Sequence, residues 1–209
     1  LRADSIVVLH ERMDDPVPEE LRHKVVVIHQ SAEPIARPPE PRKDRFDVCV
    51  LGHLRAVKDP FLAAEAVRLL PADSHVHVVQ AGGVMDAGMD VTAARETERN
   101  ERYTYLGELT HARAVRVLCR SRLLVLTSRA EGAPSVFSEA LANGVPILST
   151  RIPAAEAMLG DDYPGLFPIG DAPALAELLR RAESEPAFLA DLAARCKEVA
   201  YRVEPARER

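Results

Sequence analysis

FDVCVLGHLRAVKDPFLAAEAVRLLPADSHVHVVQ, residues 46–80, sets out the plan of the chain. A strand candidate of six residues (46–51) ends at Gly52, a polar turn follows, and a helical pattern over 60–70 leads into a second strand candidate at 75–80. Two short buried strands joined by a helix cannot form a hairpin; the connection needs a crossover, so the strands are parallel.

The same alternation continues downstream. Strands are predicted at 103–106, 123–127, 146–149 and 166–169, with helices at 87–98, 110–119, 135–143 and 154–159. Two more helices, 172–184 and 186–202, follow the last strand. The expected fold is α/β: a doubly wound, Rossmann-like parallel sheet with helices on both faces and ligands at the carboxyl ends of the strands.

Upstream, residues 5–9 (SIVVL) and 24–29 (KVVVIH) are β-branched runs that suit buried parallel strands. Between residues 30 and 45, Pro34, Pro38, Pro39 and Pro41 put four prolines in eight positions, which excludes regular structure. A domain boundary is placed there: residues 1–30 end one domain, 31–45 are a linker, 46–185 are the ligand-binding domain and 186–209 a terminal helix and tail.

Composition excludes several function classes. The 209 residues carry a net charge of −5, so no nucleic-acid or membrane-surface footprint is expected. No apolar run approaches the roughly 18–20 residues that span a bilayer. Cys49, Cys119 and Cys196 are an odd number without metal-ligand spacing, and read as buried free thiols in a reducing cytoplasm. His75 and His77 alternate on one strand, but no third ligand is near in sequence, so no metal is expected. The start at Leu1, with no Met, basic leader or cleavage pattern, leads to the expectation of a piece of a longer protein.

Three strand-to-helix turns are candidate sites. In the first, Gly52 lets a ligand approach the backbone, and His53, Arg55 and Lys58 supply donors and positive charge before Pro60. It matches neither a dinucleotide fingerprint nor a P-loop; its plain alternative is a solvated basic loop. The second is Glu131-Gly132-Ala133-Pro134-Ser135-Val136-Phe137-Ser138-Glu139. Here a loop leads into a helix for which Ser135 is the expected N-cap. Its first amides and dipole suit a phosphate. Two carboxylates eight residues apart can each accept from neighbouring hydroxyls of a sugar or ribose. Taken singly, Glu131 reads equally well as a loop acid and Glu139 as a first-turn acid. The third, Gly82-Gly83 after a strand, reads as a plain turn.

The Glu131-x7-Glu139 segment, the Gly52-x-Leu54-x3-Lys58 turn and Ala142-Asn143-Gly144-Val145-Pro146-Ile147 together resemble the carboxy-terminal domain of family 4 retaining glycosyltransferases of the GT-B fold. The resemblance covers about residues 46–171, and residues 5–31 resemble the end of the preceding acceptor-side domain. It implies a UDP-sugar donor, no cofactor, and a small-molecule acceptor. Lys58 would contact the diphosphate, Glu131 the transferred sugar, and the two would serve the reacting centre. Gly132, Ala133, Pro134, Ser135 and Val136 would contact sugar and phosphates through the backbone. Glu139 would hold the ribose, and Leu106, Gly107 and Leu109 the base. Most members carry Arg where this chain has His53, with Arg55 two positions on; His lacks the arginine fork.

Several linked phrases, Val48 to Arg55, Lys58 to Phe61 and Leu159 to Asp171, resemble one subgroup, the selenosugar synthases of selenoneine biosynthesis (the SenB type). That subgroup transfers N-acetylglucosamine or glucose from UDP to selenophosphate. Two other readings stay open: a nucleotide-sugar epimerase of the same architecture, and a non-catalytic flavodoxin-like binding module.

Overall fold

The computed structural model describes residues 4–13 and 17–208. Two parallel strands, β1 (Ile6–Val8) and β2 (Val25–Val27), form a small sheet of their own. Val7 and Val26 remain exposed on it. From residue 28 to 45 the chain contains no helix or strand.

The main sheet has six parallel strands: β3 (Phe46–Leu51), β4 (Val76–Ala81), β5 (Tyr103–Tyr105), β6 (Leu123–Leu126), β7 (Ile147–Thr150) and β8 (Leu166–Phe167). The helices are α1 (Leu62–Arg68), α2 (Met89–Arg99), α3 (His111–Arg120), α4 (Ser135–Ala142), α5 (Pro153–Leu159), α6 (Ala172–Ser184) and α7 (Pro186–Val199). Every element expected from the sequence is present, with ends that shift by up to three residues. Apolar runs mark the middles of strands and helices, whereas their ends are set by where backbone pairing stops.

The strand order is β5-β4-β3-β6-β7-β8. The chain therefore steps one way from β3 through β4 to β5, then returns to place β6 on the other side of β3. Right-handed crossovers put α1 and α2 on one face and α3, α4 and α5 on the other. The tail helix α6 packs on α1, and α7 on α5 and β7. Val48, Val78, Leu123, Leu124, Ile147 and Leu148, all but sealed from solvent, form the middle of the core. Strands covered on both faces are mostly apolar, and the polar residues within them, such as Asp47, His77, Gln80 and Thr150, are buried too. All three cysteines are buried free thiols, one each in β3, α3 and α7, and burial pushes the Cys49 thiol up to about 12.

The reversal between β3 and β6 leaves a crevice at their carboxyl ends, where a doubly wound sheet binds its ligands. Beside it, pairing of β3 with β4 continues past the strands. Gly52 N–H donates to the Ala81 carbonyl (3.0 Å) and Leu54 N–H to the Gly83 carbonyl (2.8 Å). The backbones approach so closely that a Cβ on Gly82 would lie 1.9 Å from the Gly52 carbonyl oxygen. The glycine pair is thus more than a plain turn: it lets two loops fuse into one shelf.

Two outcomes follow. Gly82→Ala has no room to relax, since the obstacle is backbone; a loss of stability of about 3 kcal/mol or more is expected by chemical denaturation. The second concerns His77, which is buried beside Asp47, Arg42 and Arg45 and within hydrogen-bonding distance of the Thr104 hydroxyl (2.8 Å). Burial first, then Arg45, holds its imidazole below the ordinary value of 6.5. The unfolded chain therefore takes up a proton first on acidification. The contribution is complete above the unfolded value and is lost as pH falls below it towards the folded one. His77→Gln should lessen the fall in Tm between about pH 7.5 and about pH 5.5; an unchanged fall would show that other groups set it.

Candidate functional site

An open cavity of about 250 Å³ lies at the carboxyl ends of β3 and β4, beside the switch point. Gly52, His53 and Lys58 from the β3 loop line it, with Ala81, Gly82 and Gly83 of the shelf. Glu108, Leu109 and Ala114 close one side, and Pro134, Ser135 and Val136 the other. Two helices, α3 and α4, begin at its rim.

The start of α4 differs from the expectation in one respect. Pro134, at φ −73° and ψ 112°, takes the cap position, and Ser135 is the first helical residue with no capping bond from any side chain. A proline ring fixes φ and leaves an extended ψ open, so the residue before the serine already has cap geometry. Phe137 N–H turns back to the Pro134 carbonyl (2.9 Å), while the amides of Ser135 and Val136 have no partner among the described residues. Two free N–H groups at the positive end of a helix dipole point to an anion.

Opposite them is Lys58. Its ammonium pairs with Glu131, and the same Glu131 oxygen accepts from the Ser128 hydroxyl (2.6 Å). The pair is largely shielded, with side-chain exposures of 25% and 12%. Residues from the two candidate turns thus meet across the β3–β6 reversal. A partly shielded cation with one carboxylate as its counter-ion among the described residues is suited to exchange that partner for a phosphate oxygen. A Cβ on Gly132 would meet nothing within 4 Å, so that side of the residue faces open space.

Glu139 lies one turn into α4, with His111 Nδ1 at 3.6 Å. Burial raises its carboxyl above the ordinary value, and His111 partly offsets this. A half-buried acid with no strong donor of its own suits hydroxyl ligands. The remaining sequence candidates are dispersed. Arg55 is exposed and does not line the cavity. Leu106 lines a different groove, with Thr104, Val117 and Arg120, and Gly107 forms a turn whose carbonyl accepts from Gly82 N–H (2.9 Å). Ala133 faces away, into a small space shared with His10.

Two residues that sequence reading did not single out belong to this region. Glu108 sits over Gly83 together with His53: a Cβ on Gly83 would be 3.2 Å from the Glu108 carboxyl carbon and 3.4 Å from His53 Nδ1. His10, directly after β1, is buried against the Gly132 backbone, and its Nδ1 accepts the Arg12 N–H (3.2 Å). Its imidazole is lowered chiefly by burial. The Ser138 hydroxyl also donates to the Gln30 carbonyl (2.7 Å), so the amino-terminal segment braces the Glu131–Glu139 loop. The signal for Glu108 was its place between Gly107 and Leu109; His10 offered none beyond following a strand.

The Lys58–Glu131 pair generates a measurable expectation. Lys58→Met leaves a shielded carboxylate without its cation and should cost about 1–3 kcal/mol of stability. The double change Lys58→Met with Glu131→Gln should recover most of that loss by removing the stranded charge. Denaturation of the four proteins in a double-mutant cycle measures this, and full additivity would show that the pair is not coupled.

The geometry can be set beside known structures. The chain superposes on HepE of Anabaena, solved in complex with UDP and glucose, with a TM-score of 0.78 at 18% identity. That match covers 97% of this chain and 60% of HepE. Sucrose-phosphate synthase from Thermosynechococcus elongatus gives 0.74 at 19% identity, covering 96% and 54%. The apo lipopolysaccharide outer core galactosyltransferase WaaB gives 0.68 at 17% identity, covering 96% and 60%. The chain thus spans little more than half the length of these relatives and has the fold of part of a GT-B glycosyltransferase. No curated protein sequence matches it. The family profile described as glycosyl transferases group 1 matches residues 31–203, which is most of the chain. With the doubly wound sheet and the site at its switch point, this chain belongs to the group 1 glycosyl transferases.

Proposed function

We propose that this chain is the donor-binding part of a UDP-sugar-dependent glycosyltransferase. The observation that carries this reading is the meeting of Lys58 and Glu131 beside the free amides of Ser135 and Val136. It puts positive charge and amide donors where a departing diphosphate needs them, and a carboxylate where sugar hydroxyls need an acceptor. When the bond from the anomeric carbon to the diphosphate oxygen breaks, charge collects on the UDP leaving group. Lys58 and the α4 amides would stabilise it there, a contribution that grows towards the transition state. Glu139 would accept from the ribose, and Leu109 would pack by the base. The complexes of HepE with UDP and with UDP-glucose favour a UDP donor.

For the acceptor we propose selenophosphate, with N-acetylglucosamine or glucose as the sugar. Selenium would attack the anomeric carbon as UDP departs, so one carbon–selenium bond replaces one carbon–oxygen bond. The support is the set of phrases around His53, Lys58 and residues 159–171 that resemble the selenosugar synthases. In the same reading residues 1–30 end the acceptor-side domain, 31–45 connect it, 46–185 hold the donor, and 186–209 form the closing helix. The reducing cytoplasm, where free buried cysteines persist, fits this assignment. Among the described residues, no helix is long and apolar enough to cross a membrane.

The deciding experiment supplies the intact protein with UDP-N-acetylglucosamine or UDP-glucose, with and without selenophosphate, and follows UDP release and product mass. Release that depends on selenophosphate, with a selenosugar product, is expected. An altered UDP-sugar formed without acceptor would make the protein an epimerase. No UDP-dependent thermal shift, or one indifferent to Glu139→Ala, would leave only a binding module.

A further inference from the structure

Lys58 ends a one-turn 3-10 segment, Ala56–Lys58, and the next residue has an unusual backbone. Asp59, at φ 44° and ψ 55°, is the non-glycine residue of positive φ among those described. A left-handed conformation at such a residue costs about 1–3 kcal/mol and lasts only where its surroundings hold it.

Residues 57–59 are held by a three-residue stretch between β6 and Glu131. The buried Thr127 hydroxyl donates to the Lys58 carbonyl (2.8 Å). Arg129 N–H donates to the Val57 carbonyl (2.8 Å), and the Arg129 guanidinium donates to the Asp59 carboxylate (2.7 Å). Residues 57, 58 and 59 are thus each tied once to residues 127–129. On its own side the segment has the local turn bonds from Lys58 N–H to the Arg55 carbonyl, from Asp59 N–H to the Ala56 carbonyl and from Leu62 N–H to the Asp59 carbonyl, and Ala56 N–H donates to the Asp86 carboxylate (2.6 Å).

The Arg129 side chain is 57% exposed, and so exposed an ion pair contributes little to folding. What it does fix is the direction in which the Lys58 side chain leaves the backbone. We propose that Thr127 and Arg129 are positioning residues: with Asp59 as the strained joint, they aim Lys58 into the cavity. The proposal rests on the reading of Lys58 as the cation that meets the diphosphate.

UDP and uridine separate the two questions. Both offer base and ribose, but only UDP has phosphates for Lys58, so a misdirected lysine weakens UDP and spares uridine. Calorimetry or ligand-observed NMR on this chain measures both affinities. Arg129→Gln and Thr127→Val should each lower UDP affinity about fivefold, the equivalent of one lost hydrogen bond. Uridine affinity should stay unchanged. Thr127→Ser, which keeps the hydroxyl, should bind UDP like the parent. Asp59→Gly keeps the left-handed backbone without strain but loses the carboxylate, so its loss should be no larger than that of Arg129→Gln. Once Lys58→Ala has been made, adding Arg129→Gln should change nothing further.

Equal losses for UDP and uridine would reduce Thr127 and Arg129 to general structural roles and overturn the proposal. So would unchanged UDP affinity in Arg129→Gln, whose exposed site leaves folding intact even if Thr127→Val unfolds. If the parent chain binds UDP no tighter than uridine, the diphosphate role of Lys58 fails first, and the proposal falls with it.

Discussion

Lys58 and Glu131 lie 73 positions apart and end on loops that leave different strands of one sheet, yet their side chains touch. Sequence distance could have put them anywhere; strand order puts them together. Because β6 pairs with the far side of β3, the loops after these two strands open in opposite directions around one gap. A cation from one and a carboxylate from the other then pair across it. The surrounding features serve that meeting. The shelf of residues 52–54 and 82–84 is one rim, the free amides of α4 are another, and the Ser128 hydroxyl steadies Glu131.

Such a site is preorganised in its backbone and self-neutralised in its charge. The backbone parts, two close-packed glycine loops and two helix starts, cannot move without breaking pairing, so they need little ordering when a ligand arrives. Under the proposed donor role the charged parts have only to part, Lys58 from Glu131, by the width of a phosphate group. Division of labour of this kind keeps the cost of binding low and leaves the electrostatic gain for the stage when charge develops.

Much of this was legible from the residues alone, and the limits are physical. Every strand and helix of the sheet was visible because burial on both faces makes the strands mostly apolar and β-branched and the intervening helices amphipathic. Lys58, Glu131 and Glu139 stood out by motif, although no spacing rule shows that the first two touch. What escaped were facts of close approach. Gly82 and Gly83 read as a turn because only the three-dimensional path reveals a carbonyl where a methyl would go. Ser135 read as a cap because hydroxyls cap helices, but the ring of Pro134 had already supplied the geometry. Arg55 looked equivalent to His53 and Lys58, and the turn sends it to solvent. Thr127, Arg129 and His10 act through backbone atoms of distant residues, and sequence carries no mark of that.

The three thiols give this fold an internal clock. Cys49 lies at the centre of the sheet, Cys119 on a covering helix and Cys196 on the tail helix, all out of reach of solvent. A thiol so buried is shielded and undissociated, so an alkylating reagent can reach it only when its own layer opens. Labelling rates at the three positions would therefore rank the order in which tail, helix and sheet come apart, without any probe being introduced. The residues that look least functional would time the breathing of the sheet that carries the candidate site.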